Sequence, residues 1–259
     1  MTAFGAKCGM NDMKRRDLYA EALGNMETTV HDLSRRIDSP VMTTFARTAY
    51  GFRYAEQGAR QAIVQKMARV VSGLRAALLL LDQGYIQEQA AVCRMVDEAC
   101  EDVSFLALGL IVEETDLHRQ FLQEFFLEDF EDADRPHETR IKRPSIRRSR
   151  IHAYLSSNPV AGPNPSGGVA AMQAIHKTNS GFVHGASPHL MEMYGGQPAR
   201  FHMAGMRGTP FWGDHAADVW NYVYRAIVSF AMAVRAFGDD ALFAKIYAYS
   251  KEFEKSEPK

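Results

Sequence analysis

An all-α fold, a bundle of about five to seven helices around one long antiparallel pair, follows from three features of the sequence. Ala59–Val112 repeats apolar residues in steps of three and four: Ile63, Met67, Val70, Leu74, Ala77 and Leu81 before Asp82-Gln83-Gly84, then Ile86, Ala90, Cys93, Val96, Cys100, Val103, Ala107 and Leu110 after it. That period lays one apolar stripe along each of two helices folded back at the glycine. A second run, Ala216, Trp220, Val223, Ile227, Phe230, Val234 and Phe237, keeps the same steps, so another long helix belongs beside the pair. Strand signals are confined to about residues 190–203, where Tyr194-Gly-Gly-Gln-Pro198 lies between apolar runs and predicts a short hairpin or an ordered loop.

The remaining elements follow in order. Met1–Met10 has no periodicity and is expected to be disordered, and Leu18, Ala22, Val30, Leu33 and Ile37 predict a helix from about Asn11 to Asp38, ended by Ser39-Pro40. Val41–Tyr50 is read as helical, weakened by Gly51 and Gly58 before the central pair. Beyond the pair the helix either runs on through His118 to Phe130 or breaks near Thr115, and Phe121, Leu122, Phe125, Phe126 and Phe130 recur at helical spacing as core residues. Residues 131–167 form a linker region, with a short helix at about Ser145–Ser156 and a run of breakers from Asn158 to Gly168. A helix over about Gly168–His184 ends at Gly185 and Pro188, Thr209-Pro210 opens the last long helix, and Asp240–Glu252 is a final short one. The whole chain, residues 1–259, is expected to be one helical domain, with a disordered tail from residue 253.

Composition bounds the function. With 259 residues, 46% hydrophobic and 24% charged, and a formal charge of −1, the chain is long enough for a sizeable core and has no global attraction to nucleic acid or membrane. Polyanion binding therefore has to be local. No apolar run follows the basic Lys14-Arg15-Arg16, which argues against a secretory signal, and Val103–Val112 is about half of the ~20 residues a membrane crossing needs. Three cysteines, two of them seven apart on a core stripe, suit a reducing, cytoplasmic setting. No nucleotide, metal or nucleophile signature occurs, so no cofactor is expected; Glu114-x-x-x-His118 is one residue too long for a di-metal helix motif and has no second copy.

Two groups of residues stand out chemically. Arg94, Asp97, Glu98, Glu101 and Asp102 interrupt an otherwise apolar helix, and one arginine cannot neutralise four acids. Arg60, Arg69, Arg75 or Arg225, or a cation, would have to compensate them. Lys177, Ser180 and His184 share one helix face, with His176 close to it and the Asn179 amide within two turns, and His184 sits at the helix C-terminus, where the dipole favours an imidazolium suited to gripping a phosphate or to acid–base work. The structural alternative is a simple helix cap. Between the groups, Arg140, Lys142, Arg143, Arg147, Arg148 and Arg150 follow an acidic stretch, and form either a local patch for a nucleic-acid backbone or a solvated linker.

The combination Leu78-Leu-Leu-Leu-Asp-Gln-Gly-Tyr85, Ala91-Val-Cys-Arg94-Met-Val-Asp-Glu98 and Asn179-Ser180-Gly-Phe-Val-His184-Gly resembles an uncharacterised group of bacterial helical proteins with an Arg-x3-Glu helix and a downstream Ser-x3-His. That group is similar, at a distance, to the HEPN superfamily of helical-bundle ribonucleases and nucleotide-binding proteins. The resemblance implies a metal-independent site in which an arginine and a histidine engage RNA phosphate and 2′-hydroxyl. His184 matches the histidine, while Lys177, Thr178 and Asn179 fill the window of the arginine, and lysine offers a point charge in place of a bidentate fork. The expectation is thus an RNA- or nucleotide-binding protein with Arg94, Glu98, Lys177, Asn179, Ser180 and His184 in one cleft. The alternative is a non-enzymatic interaction protein that homodimerises through a face such as Phe121–Phe130, its polar cluster serving as a buried network.

Overall fold

The computed structural model describes residues 3–44, 50–142, 144–158 and 165–257, without the side chains of residues 3–13, 165–169, 171 and 179. Among these, nine α-helices and two antiparallel strand pairs follow one another as α1 (Ala3–Ser34), β1 (Val41–Thr44), β2 (Tyr50–Arg53), α2 (Ala59–Gln83), α3 (Ile86–Ile111), α4 (Asp116–Phe126), α5 (Arg148–Ser157), α6 (Pro165–His184), α7 (Ser187–Met191), β3 (Tyr194–Gly195), β4 (Arg200–Phe201), α8 (Pro210–Ala236) and α9 (Asp240–Glu254). The fold is all-α, and the helix number exceeds seven because the chain between the long helices adds the short α4, α5 and α7.

Helix α3 is the hub, packed against α2, α8, α6, α5 and α4. Its stripe residues Cys93, Val96, Val103 and Ala107 are sealed in the core with Ile63, Met67, Val70 and Leu74 of α2 and Val223, Ile227 and Phe230 of α8. The turn between α2 and α3 is set by Gly84, whose φ of 82° lies in the left-handed region. Its carbonyl accepts from Met206 N at 2.8 Å, and a Cβ there would lie 2.5 Å from Arg207 N. Gly84→Ala is therefore expected to destabilise the fold by about 1–3 kcal/mol, read as a lower urea midpoint, because both backbone strain and a backbone clash oppose it.

Trp212 ties the start of α8 to the same corner: its Nε1 donates to Leu81 O at 2.7 Å, and Thr209 caps α8 by accepting from Trp212 N at 3.2 Å. Chain between α3 and α4 breaks at Thr115, as one of the two sequence readings has it. His118 then takes a structural place. Thr115 N donates to its Nδ1 at 3.1 Å, its Nε2 donates to Phe105 O at 3.0 Å, and its ring stacks on Phe105 at 4.0 Å. Burial holds the His118 pKa below its usual value, which keeps the ring neutral.

Several local expectations need correction. Of the segment Val41–Tyr50, residues 45–49 lie outside the described residues, and Val41–Thr44 and Tyr50 are strand where helix was expected: β1 pairs with β2 in the register Val41↔Arg53 and Met42↔Phe52. Val41, Thr43, Thr44, Tyr50 and Phe52 are β-branched or aromatic residues that fit a pleated surface, and this local preference prevails where no helix stripe is available. Helix α1 starts at Ala3 ahead of Asn11, with no proline to break it upstream. At the other end, Phe253 belongs to α9 and stacks on Trp220 at 5.7 Å, because it extends the stripe of Ile246 and Tyr249. The hairpin expected near residues 190–203 is present as β3–β4, pairing Tyr194 with Phe201.

Candidate functional site

The acids of α3 lie on the faces that meet α2, α5, α6 and α8, and each neighbour supplies a cation or an imidazole. Asp102, 2% exposed, accepts from Lys66 Nζ of α2 at 2.7 Å and from Arg148 Nη1 of α5 at 2.5 Å. Arg148 also stands 3.6 Å from Glu101 and 3.9 Å from Glu98. His152, one turn after Arg148, approaches Glu101 Oε2 with its Nε2 at 3.1 Å, while its Nδ1 is buried without a hydrogen bond to a described residue. One turn repeats of α5 thus deliver both groups to the same acid pair.

Arg94 and Glu98 form the more open end of this cluster. Arg94 Nη2 donates to Glu98 Oε1 at 2.7 Å and to His176 Nε2 at 2.6 Å, and its Nη1 donates to His176 O at 3.2 Å. An imidazole nitrogen that accepts from a guanidinium is unprotonated, so His176 carries its proton on Nδ1. Desolvation and the Arg94 charge both hold its pKa below the usual value. The side chains of His176 and Glu98 remain 31% and 34% exposed, which leaves the imidazole within reach of a ligand. The rings of His152 and His176 are 5.7 Å apart.

Asp97 faces the opposite neighbour, where Arg225 Nη1 of α8 bonds its Oδ1 at 2.7 Å. Burial pushes its pKa up to about 6 in spite of that pair. Cys93 and Cys100, on the same helix, are buried free thiols pushed up to about 12 by desolvation, which makes them inert as nucleophiles.

The structure brings together part of the expected set. Arg94 and Glu98 meet a histidine of α6, and that histidine is His176. His184 lies eight residues farther along, a rise of about 12 Å at 1.5 Å per residue, exposed at the helix end. Lys177 is exposed, Ser180 is half-buried, and neither has a hydrogen bond or ion pair to a described residue. The Asn179 side chain and Arg143 lie outside the described residues. Of the other cations expected along the linker, Arg140, Lys142 and Arg147 are exposed and make no ion pair among the described residues, Arg150 bonds Gln120 at 3.2 Å, and Arg148 is taken up by the acid cluster.

Arg225 compensates an α3 acid as anticipated, whereas Arg75 pairs with Glu27 and Arg60 lies over the Phe237 ring. Lys66 and His152 escaped the sequence reading. Lys66 offers no signal beyond its position on a helix facing α3. His152 does: the spacing Arg148-x-x-x-His152 sets a cation and an imidazole on one helix face.

No family model, curated protein or solved structure matches this chain. The site therefore has to be read from its own chemistry.

Proposed function

We propose that the chain binds RNA, or a nucleotide as its smallest equivalent, and that Arg94, Glu98 and His176 form a metal-independent phosphate-handling site of the ribonuclease type. One observation carries this reading: a neutral, solvent-reached imidazole sits 2.6 Å from a guanidinium. It is supported by the segment that leads into α5, where Arg140, Lys142 and Arg147 are exposed with no ion pair among the described residues. A guanidinium forks onto a phosphate, and the exposed cations would track the neighbouring backbone. In the cut, Arg94 turns from His176 to the phosphate and His176 Nε2 takes the 2′-hydroxyl proton. The 2′-oxygen bonds to phosphorus, the P–O5′ bond breaks, and the departing oxygen picks up a proton from water, leaving a 2′,3′-cyclic phosphate and a 5′-hydroxyl.

The test is a titration with a fluorescent single-stranded RNA at several salt concentrations, followed by analysis of its ends. Replacing Arg140, Lys142 and Arg147 together by Ala is expected to weaken binding and to reduce the slope of log affinity against log salt by about 2, near 0.7 per phosphate contact. His176→Ala is expected to keep binding and lose the cyclic-phosphate product. Absence of binding at low salt, or cyclic phosphate formed equally by His176→Ala, would refute the reading.

A second reading is favoured by charge matching: four acids, Asp97, Glu98, Glu101 and Asp102, face four cations, Lys66, Arg94, Arg148 and Arg225. Such a network can serve to fix helix register in a non-enzymatic interaction protein or homodimer. The Phe121–Phe130 segment is a poor docking face for it, since Phe121 is buried and Phe125 and Phe126 pack on the core. Under this reading neither the triple variant nor His176→Ala alters RNA retention, because there is none.

A further inference from the structure

A cavity of about 250 Å³ opens between α1, α8 and α9, sharing no residue with the α3 cluster. Its floor is core: Met26, Ile227 and Phe230 line it and are each 3% exposed or less. Protein interiors close such spaces by packing, so a void that reaches three sealed side chains stands out. The floor is apolar and the volume is below the ~300 Å³ at which drug-sized ligands begin, which suits a small apolar body.

Its mouth has a definite polarity. Lys245 lines it, exposed, and makes no hydrogen bond or ion pair to a described residue. Two of the acids nearby are committed: Asp32 pairs with Arg35, and Asp239, which feels the Lys245 charge, bonds Arg36 at 2.7 Å and caps α9 by accepting from Leu242 N at 2.8 Å; a third, Glu21, acts on the Tyr249 hydroxyl and is exposed to solvent. Tyr249, one turn after Lys245 on the same face of α9, also lines the cavity. Its hydroxyl is sealed from solvent and has no hydrogen bond of good geometry to a described residue, the Asn25 amide lying beside it. Burial pushes that phenol up to about 12, so it remains a donor at neutral pH. An exposed ammonium with no partner among the described residues, above an apolar floor, calls for an anion with a hydrocarbon body.

We propose that this cavity is a binding site for a small amphipathic monocarboxylate, aliphatic or aromatic, whose apolar body rests on Met26, Ile227 and Phe230 while its carboxylate accepts from Lys245 Nζ. The site is independent of the RNA reading.

Hexanoate and benzoate, titrated calorimetrically into the full chain, test it. At least one is expected to bind saturably at one site and to raise the melting temperature. Lys245→Gln, an exposed change that leaves packing intact, is expected to weaken that binding about tenfold, the loss of one charge-assisted hydrogen bond. Hexanol and benzyl alcohol should bind the wild type about as weakly as the acids bind Lys245→Gln. Three results would each overturn the proposal: no saturable binding of either acid at millimolar concentration, equal affinity of wild type and Lys245→Gln, or tighter binding of hexylamine than of hexanoate.

Discussion

Arg148→Met is expected to lower the free energy of unfolding by about 3–5 kcal/mol, the largest effect of any single change outside the apolar core. Its side chain is 20% exposed, and the guanidinium bonds Asp102 at 2.5 Å and stands 3.6 Å from Glu101. Without it, a carboxylate that is only 2% exposed keeps Lys66 alone as its counterion, and the remaining charge has no water to solvate it. Methionine retains most of the side-chain volume, so the loss reports charge and not a cavity. Two controls separate this from a surface effect. Arg150→Met, two residues away and exposed, should stay within about 0.5 kcal/mol of wild type. Arg148→Met combined with Asp102→Asn should recover a large part of the loss, because the acid that lacked its partner is then uncharged. Urea unfolding at neutral pH reads all three variants, and equal midpoints for Arg148→Met and Arg150→Met would show that the cluster is not a cohesive element of the fold.

Asp97→Asn is expected to act in the opposite direction, stabilising the protein at neutral pH although it removes a 2.7 Å ion pair with Arg225. Burial is the first cause of the Asp97 pKa rising to about 6, and Arg225 offsets it only in part. The sign follows from proton linkage. A carboxyl that titrates near 6 in the folded chain and near ~3.9 in the unfolded chain binds more protons when folded between those values, so its contribution to stability is present below about pH 4 and is lost as pH rises towards 6. Asparagine mimics the protonated form at every pH. The gain of Asp97→Asn over wild type should therefore be near zero at pH 4 and grow to about 3 kcal/mol above pH 6, from about two units at 1.36 kcal/mol each. His118, His176 and His215, whose pKa values burial lowers, contribute the reverse slope, but they do so in both proteins and cancel in the difference. Chemical unfolding of the two chains across pH 4–8 measures the gain, and a constant difference over that range would contradict the assignment.

The periodic residues of α2, α3 and α8 are in the core or packed against it, except Leu110, which is 39% exposed at the end of α3, because a helix stripe is encoded by neighbours three and four residues apart and each stripe had only other stripes to bury against. The turn at Gly84 and the cap at Thr209 were legible for the same local reason. Where no stripe was available, as in Val41–Thr44 and Tyr50–Arg53, side-chain shape decided for strand.

The site divides in the same way. Its acids announced themselves as charges within an apolar helix, and the need for compensation followed from electrostatics alone. Beyond Arg225, which residues compensate did not follow. Lys66, Arg148, His152 and His176 reach α3 from three other helices, and the choice of His176 over His184, two turns apart on α6, depends on where that helix crosses α3. By itself the sequence determined an all-α bundle, its long central pair and a polar cluster that demanded partners, since all three rest on spacing within single helices. Only the tertiary structure decided the partners and the open edge of that cluster, because ion pairs act over a few ångströms and helix crossings alone bring residues so far apart in the chain within that range.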